Sequence, residues 1–101
     1  MNTKKQLNVG ANRGNKRVWV EAGPLEAHGW TTGTRYSFTI TPTGARLDKD
    51  PTGKRGVAGG PGRPIIDLCN KKVAEWTQGA DRVSLEFSDS AILIAPRFPV
   101  F

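Results

Sequence analysis

Residues 36–47 read Y-S-F-T-I-T-P-T-G-A-R-L, and residues 83–94 read V-S-L-E-F-S-D-S-A-I-L-I. In both stretches apolar side chains first alternate with polar ones, then a short turn sequence follows, and then a second apolar run begins. Strict alternation is typical of a strand with one buried face. A turn rich in Pro, Gly, Ser or Asp closes such strands into a hairpin. The two stretches therefore predict two β-hairpins of similar design.

The similarity between the two halves extends towards the N-terminus. At a separation of 46 residues the matched pairs are Gly14 and Gly60, Arg17 and Arg63, Trp30 and Trp76, Thr31 and Thr77, and Gly33 and Gly79. One inserted residue changes the separation to 47, at which the two hairpins match. Because the order of features agrees along the whole unit, we interpret it as an internal duplication.

Each copy predicts the same series of elements. A short apolar strand comes first, Val18–Glu21 in one copy and Pro64–Leu68 in the other. A helical turn follows, with Pro24 at a first helical position and Asn70 as an N-cap. Neither unit of roughly 40 residues can bury a core alone. The predicted fold is therefore mainly β with two short helices: a small pseudo-twofold β-barrel built from two β-α-β-β repeats that form one domain.

The repeats divide the chain into five segments. They are a basic N-terminal arm (1–12), repeat 1 (13–47), a Gly/Pro-rich basic loop (48–62), repeat 2 (63–95) and a C-terminal tail (96–101). The glycines and prolines of the loop predict a mobile segment without regular structure. The tail is apolar and proline-rich, so it either covers one end of the barrel or serves as a docking peptide.

Composition excludes several classes of protein. The chain has 101 residues, with 15 Lys and Arg against 9 Asp and Glu, for a net charge of +6. One cysteine excludes an internal disulfide and a cysteine-rich zinc site. No apolar stretch is long enough for a membrane span, and no signal peptide is recognisable, so we expect a cytoplasmic protein with no membrane partner.

The sequence predicts no catalytic site, no metal site and no cofactor. His28 and Cys69 are unique residues at non-equivalent places of the repeat, so we expect no Cys–His pair. We expect His28 on a helix surface and Cys69 buried beside a helix start. Asp48 and Asp50 read as solvated loop charges, and the equivalent acids of the first strands, Glu21 and Asp67, read as partners of nearby bases.

Glycine-rich residues 53–62 lack the spacing of a phosphate-binding loop, and G-P-G-R-P at 60–64 is half of an AT-hook, so we interpret both as linker. Trp30 and Trp76 are expected in the core, whereas Trp19 is a candidate exposed aromatic residue. Positive charge is concentrated in residues 1–20 and 45–64, which favours contact with a polyanion. The candidate nucleic-acid-binding residues are Arg13, Lys16, Arg17, Trp19, Lys54, Arg55 and Arg63, with Arg17 and Arg63 as a symmetric basic pair.

The stretch 14–47 resembles the AbrB-like swapped-hairpin family, with Leu25, Gly29, Trp30 and Gly33 at the places of the family pattern. E-A-G at 21–23 looks more like the SymE-type branch, and the second copy departs from the pattern by placing Glu75 where the family has glycine. The tandem form is similar to small phage-type proteins and to segments found beside cytosine-C5 DNA methyltransferases.

This resemblance implies three functions. The leading expectation is a non-enzymatic nucleic-acid-binding regulator, with DNA preferred, that acts as a monomer or a homodimer. An alternative is a phage-encoded inhibitor or adaptor, in the host cytoplasm, that binds a host defence complex or another nucleic-acid-processing complex. A further alternative is a SymE-like RNA-directed toxin.

Overall fold

The computed structural model describes residues 2–98, which form nine strands and two short helices. The strands are β1 (Thr3–Asn8), β2 (Gly10–Asn12), β3 (Asn15–Glu21), β4 (Arg35–Thr41), β5 (Gly44–Lys49), β6 (Arg55–Gly56), β7 (Ile65–Cys69), β8 (Arg82–Phe87) and β9 (Ala91–Arg97). The helices are α1 (Ala22–Ala27) and α2 (Lys71–Trp76). The prediction of a mainly β protein with two short helices is confirmed.

The strands form two antiparallel sheets. The larger sheet has the order β1-β8-β9-β5-β4-β6, and the smaller has the order β2-β3-β7. The two hairpins expected from the alternating stretches are β4–β5 and β8–β9. Both sheets are open over the described residues, so the closed barrel stays a prediction.

The two repeats meet along two strand pairs. In the larger sheet β5 pairs with β9, and Arg46 lies opposite Leu93. In the smaller sheet β3 pairs with β7, and Val20 lies opposite Ile66. In each case the two facing residues are those that the sequence comparison matches between the halves.

One apolar core lies between the sheets and draws on both halves. Its largest fully buried side chains include Trp30, Leu25 and Leu47 from the first half and Phe87, Ile66 and Ile92 from the second. Trp30 and Trp76 are buried as expected. The indole N–H of Trp30 donates to the carbonyl of Ser88, which satisfies its single polar atom inside the core.

The basic N-terminal arm is part of both sheets. β1 pairs with β8 along its whole length, from Thr3 opposite Phe87 to Asn8 opposite Arg82. Leu7 and Val9 pack against the core. Most of the other side chains of this arm are exposed, which explains why its composition alone indicates only a charged segment.

The loop 48–62 differs from the expectation of no regular structure. β6 pairs with the start of β4, Val57 is buried, and the Val57 N–H donates to the Thr34 carbonyl. Gly53 makes this approach possible, because a Cβ at Gly53 would lie 2.3 Å from the Tyr36 carbonyl oxygen. Glycine therefore allows the loop to lie against β4 instead of leaving it.

The second repeat also extends beyond its predicted end. Pro96 and Arg97, assigned from the sequence to the tail, lie in β9 opposite Val83 and Arg82. Proline is tolerated there because β5 pairs with β9 only as far as Ile94, so no strand on that side requires an N–H from residue 96. The expected packing of the tail over a barrel end concerns mainly residues 99–101, which lie outside the described residues.

Candidate nucleic-acid interface

Two of the sequence-predicted cations lie at the tip of the β2–β3 hairpin. The turn is formed by Arg13 and Gly14, both with positive φ (53° and 82°), a conformation that suits a two-residue hairpin loop. Arg13 and Lys16 are exposed, and every residue of β2 is exposed. The tip is therefore a solvated β-ribbon that carries two cationic side chains.

Arg17 and Trp19 lie on the outer face of the same sheet but are already engaged by neighbours. Arg17 donates through Nε and Nη2 to the two carboxylate oxygens of Asp67, each at 2.9 Å, and this pairing raises the pKa of Arg17. Its guanidinium also lies 4.2 Å from the ring centroid of Trp19. The Trp19 indole N–H donates to Glu21 at 2.6 Å. The cation and the ring are thus partly occupied within the sheet.

Lys54 and Arg55 lie in a groove of about 660 Å³ beside β4. The groove is lined by residues 36–40 of β4, by Asp50, Thr52 and Gly53 of the neighbouring turn, and by Asn70 and Lys72 at the start of α2. Three cations, Lys54, Arg55 and Lys72, therefore share it with the carboxylate of Asp50. The Asp50 carboxylate accepts hydrogen bonds from both the N–H and the hydroxyl of Thr52.

The apolar side of this groove is partly covered. The Arg55 guanidinium lies 5.0 Å from the ring centroid of Phe38, whose ring also packs against Trp76. Ile40 remains 44% exposed. Burial raises the pKa of the Tyr36 phenol, and the nearby Arg55 cation offsets part of that rise. The groove therefore combines positive charge with an accessible aliphatic side chain.

The hairpin tip and the groove are connected through the end of β7. The Cys69 thiol donates a weak hydrogen bond to the Asn12 carbonyl at 3.8 Å. The next residue, Asn70, caps α2 by accepting from the Lys72 N–H, and both Asn70 and Lys72 line the groove. We refer to the hairpin tip and the groove together as the basic band, and its cations are Arg13, Lys16, Lys54, Arg55 and Lys72.

Sequence reasoning missed Lys72. The pattern places it in the first turn of the helix capped by Asn70, but only the packing of α2 beside β4 shows that it lies with Lys54 and Arg55. Arg63, by contrast, lies away from the tip. It precedes Ile65, which pairs with Glu21, whereas Arg17 pairs with Cys69 at the other end of β7. Arg17 and Arg63 are thus at opposite ends of the β3–β7 pair.

His28 differs from the expectation of a surface residue. It is only 7% exposed, and its two ring nitrogens bond to the Thr3 hydroxyl at 2.8 Å and to Asp89 at 2.9 Å. The Lys49 ammonium donates to the His28 carbonyl.

Cys69 is half-buried, not fully buried as expected. The two carboxylate oxygens of Asp48 share one bifurcated hydrogen bond from the Nε–H of Arg46.

A second groove, of about 700 Å³, lies on the larger sheet. Its lining includes Lys4, Lys5, Arg46 and Arg97 together with Glu86. Two of these cations have carboxylate partners, because Arg46 pairs with Asp48 and Lys4 approaches Glu86 at 3.9 Å. Two of the four cations on this surface are therefore already paired, whereas the described residues place no carboxylate oxygen within 4.0 Å of any cation of the basic band.

The chain matches no protein-family model, no curated protein and no solved structure. Across residues 2–98 no three His, Cys, Asp or Glu side chains are grouped so that they could hold a metal ion. Over the same range no helix has the length and apolar character needed to cross a membrane.

Proposed function

We propose that this protein is a small non-enzymatic nucleic-acid-binding regulator that prefers DNA. The observation that carries the proposal is the basic band. Among residues 2–98, none of its five cations has a carboxylate oxygen within 4.0 Å, whereas Arg17, Lys4 and Arg46 do. A cation without a close internal counter-ion can neutralise a phosphate, and releasing the phosphate counter-ions favours binding.

The form of the band supports DNA as the ligand. A two-stranded β-ribbon fits the major groove of B-DNA, and the end of the β2–β3 hairpin, from Ala11 to Lys16, extends beyond the pairing with β7 as a short ribbon with Arg13 at its tip. Lys54, Arg55 and Lys72 would then contact the adjacent phosphate backbone. These phosphate contacts position the protein, while the exposed tip reaches the base edges.

We also propose that the chain is a tandem duplication, in which each half contributes one β-α-β-β unit to a barrel-like molecule related to the AbrB-like family. The strand pairs β5–β9 and β3–β7 support this. In each of them, residues at equivalent positions of the two repeats lie opposite each other, Arg46 with Leu93 and Val20 with Ile66. A chain of this kind contains both β-α-β-β units in one molecule. Proteins with a single unit would have to dimerise to bring two units together.

The salt dependence of DNA binding tests the proposed function. A fluorescein-labelled random-sequence duplex, the corresponding single strand and an RNA duplex of the same sequence are titrated with the full chain at several salt concentrations. We expect tightest binding to duplex DNA. The slope of log K against log salt should be steeper than about −3, since each neutralised phosphate contributes about −0.9.

A matched pair of variants tests the location of the interface. Arg13→Gln/Lys54→Gln/Lys72→Gln removes three exposed cations from the basic band. Lys4→Gln/Lys5→Gln/Arg97→Gln removes two lysines and one arginine from the larger sheet, so the net charge falls equally. We expect the first variant alone to flatten the slope, by about 1 per lost phosphate contact. Equal losses in both variants, or a flat salt response of the parent protein, would refute the proposal.

A further inference from the structure

The two matching hairpins differ in how their outer edges are covered. β1 covers the outer edge of β8 along all six residues, from Arg82 to Phe87. On β4, the corresponding strand β6 pairs only with Arg35 and Tyr36. Among the described residues, no strand pairs with the outer edge of β4 beyond Tyr36.

The open part of the edge presents free backbone groups. The Asp50 N–H donates to the Arg35 carbonyl, which shows that the odd-numbered residues of β4 bond to β5. In an antiparallel ladder the alternate residues, Phe38 and Ile40, then direct their N–H and C=O groups away from β5. Such an edge is a template for an added strand.

The chemistry beside the edge selects the kind of strand. Lys54, Arg55 and Lys72 line the groove along it against the single carboxylate of Asp50, and Ile40 offers apolar contact. In a second copy of this chain, the edge of β1 carries Lys4 and Lys5 and the edge of β4 carries the same groove cations, so either edge would place like charges together. Charge complementarity instead favours an extended segment with acidic side chains.

We propose that the β4 edge binds, by strand addition, an extended acidic segment of a partner protein. The segment lies antiparallel to β4 and exchanges backbone hydrogen bonds with Phe38 and Ile40, while its acidic side chains meet Lys54 and Lys72. This goes beyond the proposed DNA binding. Because both ligands use Lys54 and Lys72, the acidic segment displaces DNA from the groove end of the basic band.

Amide NMR of the full chain tests strand addition directly. The probe is the capped hexapeptide Thr-Glu-Val-Glu-Thr-Glu, titrated into ¹⁵N-labelled protein. We expect the amides of Phe38 and Ile40 to shift and to exchange with solvent more slowly in the complex. A peptide N-methylated at alternate residues keeps its charge but cannot form the ladder, so it should give no protection at either amide.

Charge reversal tests the choice of partner. Lys54→Glu/Lys72→Glu should weaken binding of the acidic peptide by at least about tenfold and favour its lysine counterpart, while Arg82→Glu/Arg97→Glu on the larger sheet leaves binding unchanged. The proposal fails if no peptide protects the Phe38 and Ile40 amides. It also fails if a (dT)₁₂ strand protects them equally. Either result leaves the salt-dependent DNA test unaffected, so the two proposals can fail separately.

Discussion

His28 connects three separate parts of the chain through one side chain. It follows α1, its ring bonds to Thr3 on β1, and its other ring nitrogen bonds to Asp89 in the β8–β9 turn. An ionised Asp89 carboxylate can only accept, so Nδ1 donates in that hydrogen bond, while Nε2 bonds to the Thr3 hydroxyl. A buried imidazole bonded on both sides fixes the N-terminal strand and the turn relative to the helix.

The ionisation of Asp89 should make the stability of the fold depend on pH. The hydrogen bond from His28 lowers the pKa of Asp89 below its ordinary value of 3.8, with a smaller contribution from the charge of Lys49. The folded state therefore favours the ionised carboxylate. Its stabilising contribution is fully present above the ordinary pKa and is lost as the pH falls through the lowered one.

Urea unfolding of the parent protein and of Asp89→Asn between about pH 2.5 and 7 measures this contribution. We expect the difference in the free energy of unfolding between the two proteins to shrink as the pH falls below about 4. Asp81→Asn, also exposed, serves as the control. A difference that stays constant down to the lowest pH would show that His28 does not stabilise the ionised form of Asp89.

The end of the β4–β5 turn lies where the two halves of the larger sheet meet. Gly44 follows the turn with φ of 145°, and a Cβ there would lie 2.0 Å from the Ile94 carbonyl oxygen on β9. The approach is between two backbones, so no flexible side chain can move aside. Glycine at this position allows β5 and β9 to pair as closely as they do.

Gly44→Ala should therefore destabilise the fold, by more than about 1 kcal/mol, because the substitution is incompatible with both the backbone angle and the space. Gly60→Ala is the matched control, since a Cβ there meets nothing within 4 Å and its φ is not positive. Chemical denaturation of both variants provides the comparison. Equal stability of the two variants would mean that β9 moves away at little cost.

The elements that could be predicted from the sequence are those with strong local signals. Alternation gives β4 and β8, Asn70 gives the start of α2 through its side-chain cap, and Gly29, with φ of 72°, follows the end of α1. β1 and β6 carry no such signal. Their positions depend on pairing with strands that are distant in the sequence. A local stretch such as K-K-Q at 4–6 does not predict that pairing.

The candidate site shows the same division. The sequence identifies Arg13, Lys16, Lys54 and Arg55 as cations in basic segments, but it cannot show which of them have counter-ions. Asp67 lies on the neighbouring strand, 50 residues further along the chain, and pairs with Arg17. Arg17 therefore has a counter-ion within the protein. Long-range pairing of this kind depends on the register of β3 against β7, which becomes known only with the fold.

Because the two halves share both sheets and one core, we expect that neither half folds without the other. The larger sheet is held together at its centre by β5 against β9, and the smaller by β3 against β7. Each pair joins one half to the other, and the core side chains come from both. The apolar surface that each half contributes is therefore buried only in the complete molecule.

Separate fragments 1–60 and 61–101 should each lack fixed structure and should regain it when mixed. Gly60 is exposed and a Cβ there would meet nothing within 4 Å, so a break after it removes no side-chain packing at that residue. Near-ultraviolet circular dichroism, which reports Trp30 and Trp76 in a fixed environment, follows the recovery.

Val20→Asp, which buries a charge within the β3–β7 pair, should abolish recovery, whereas Thr39→Asp on an exposed site should not. Independent folding of either fragment would show that its core is complete without the other half. That result would refute the expectation that each half needs the other to fold.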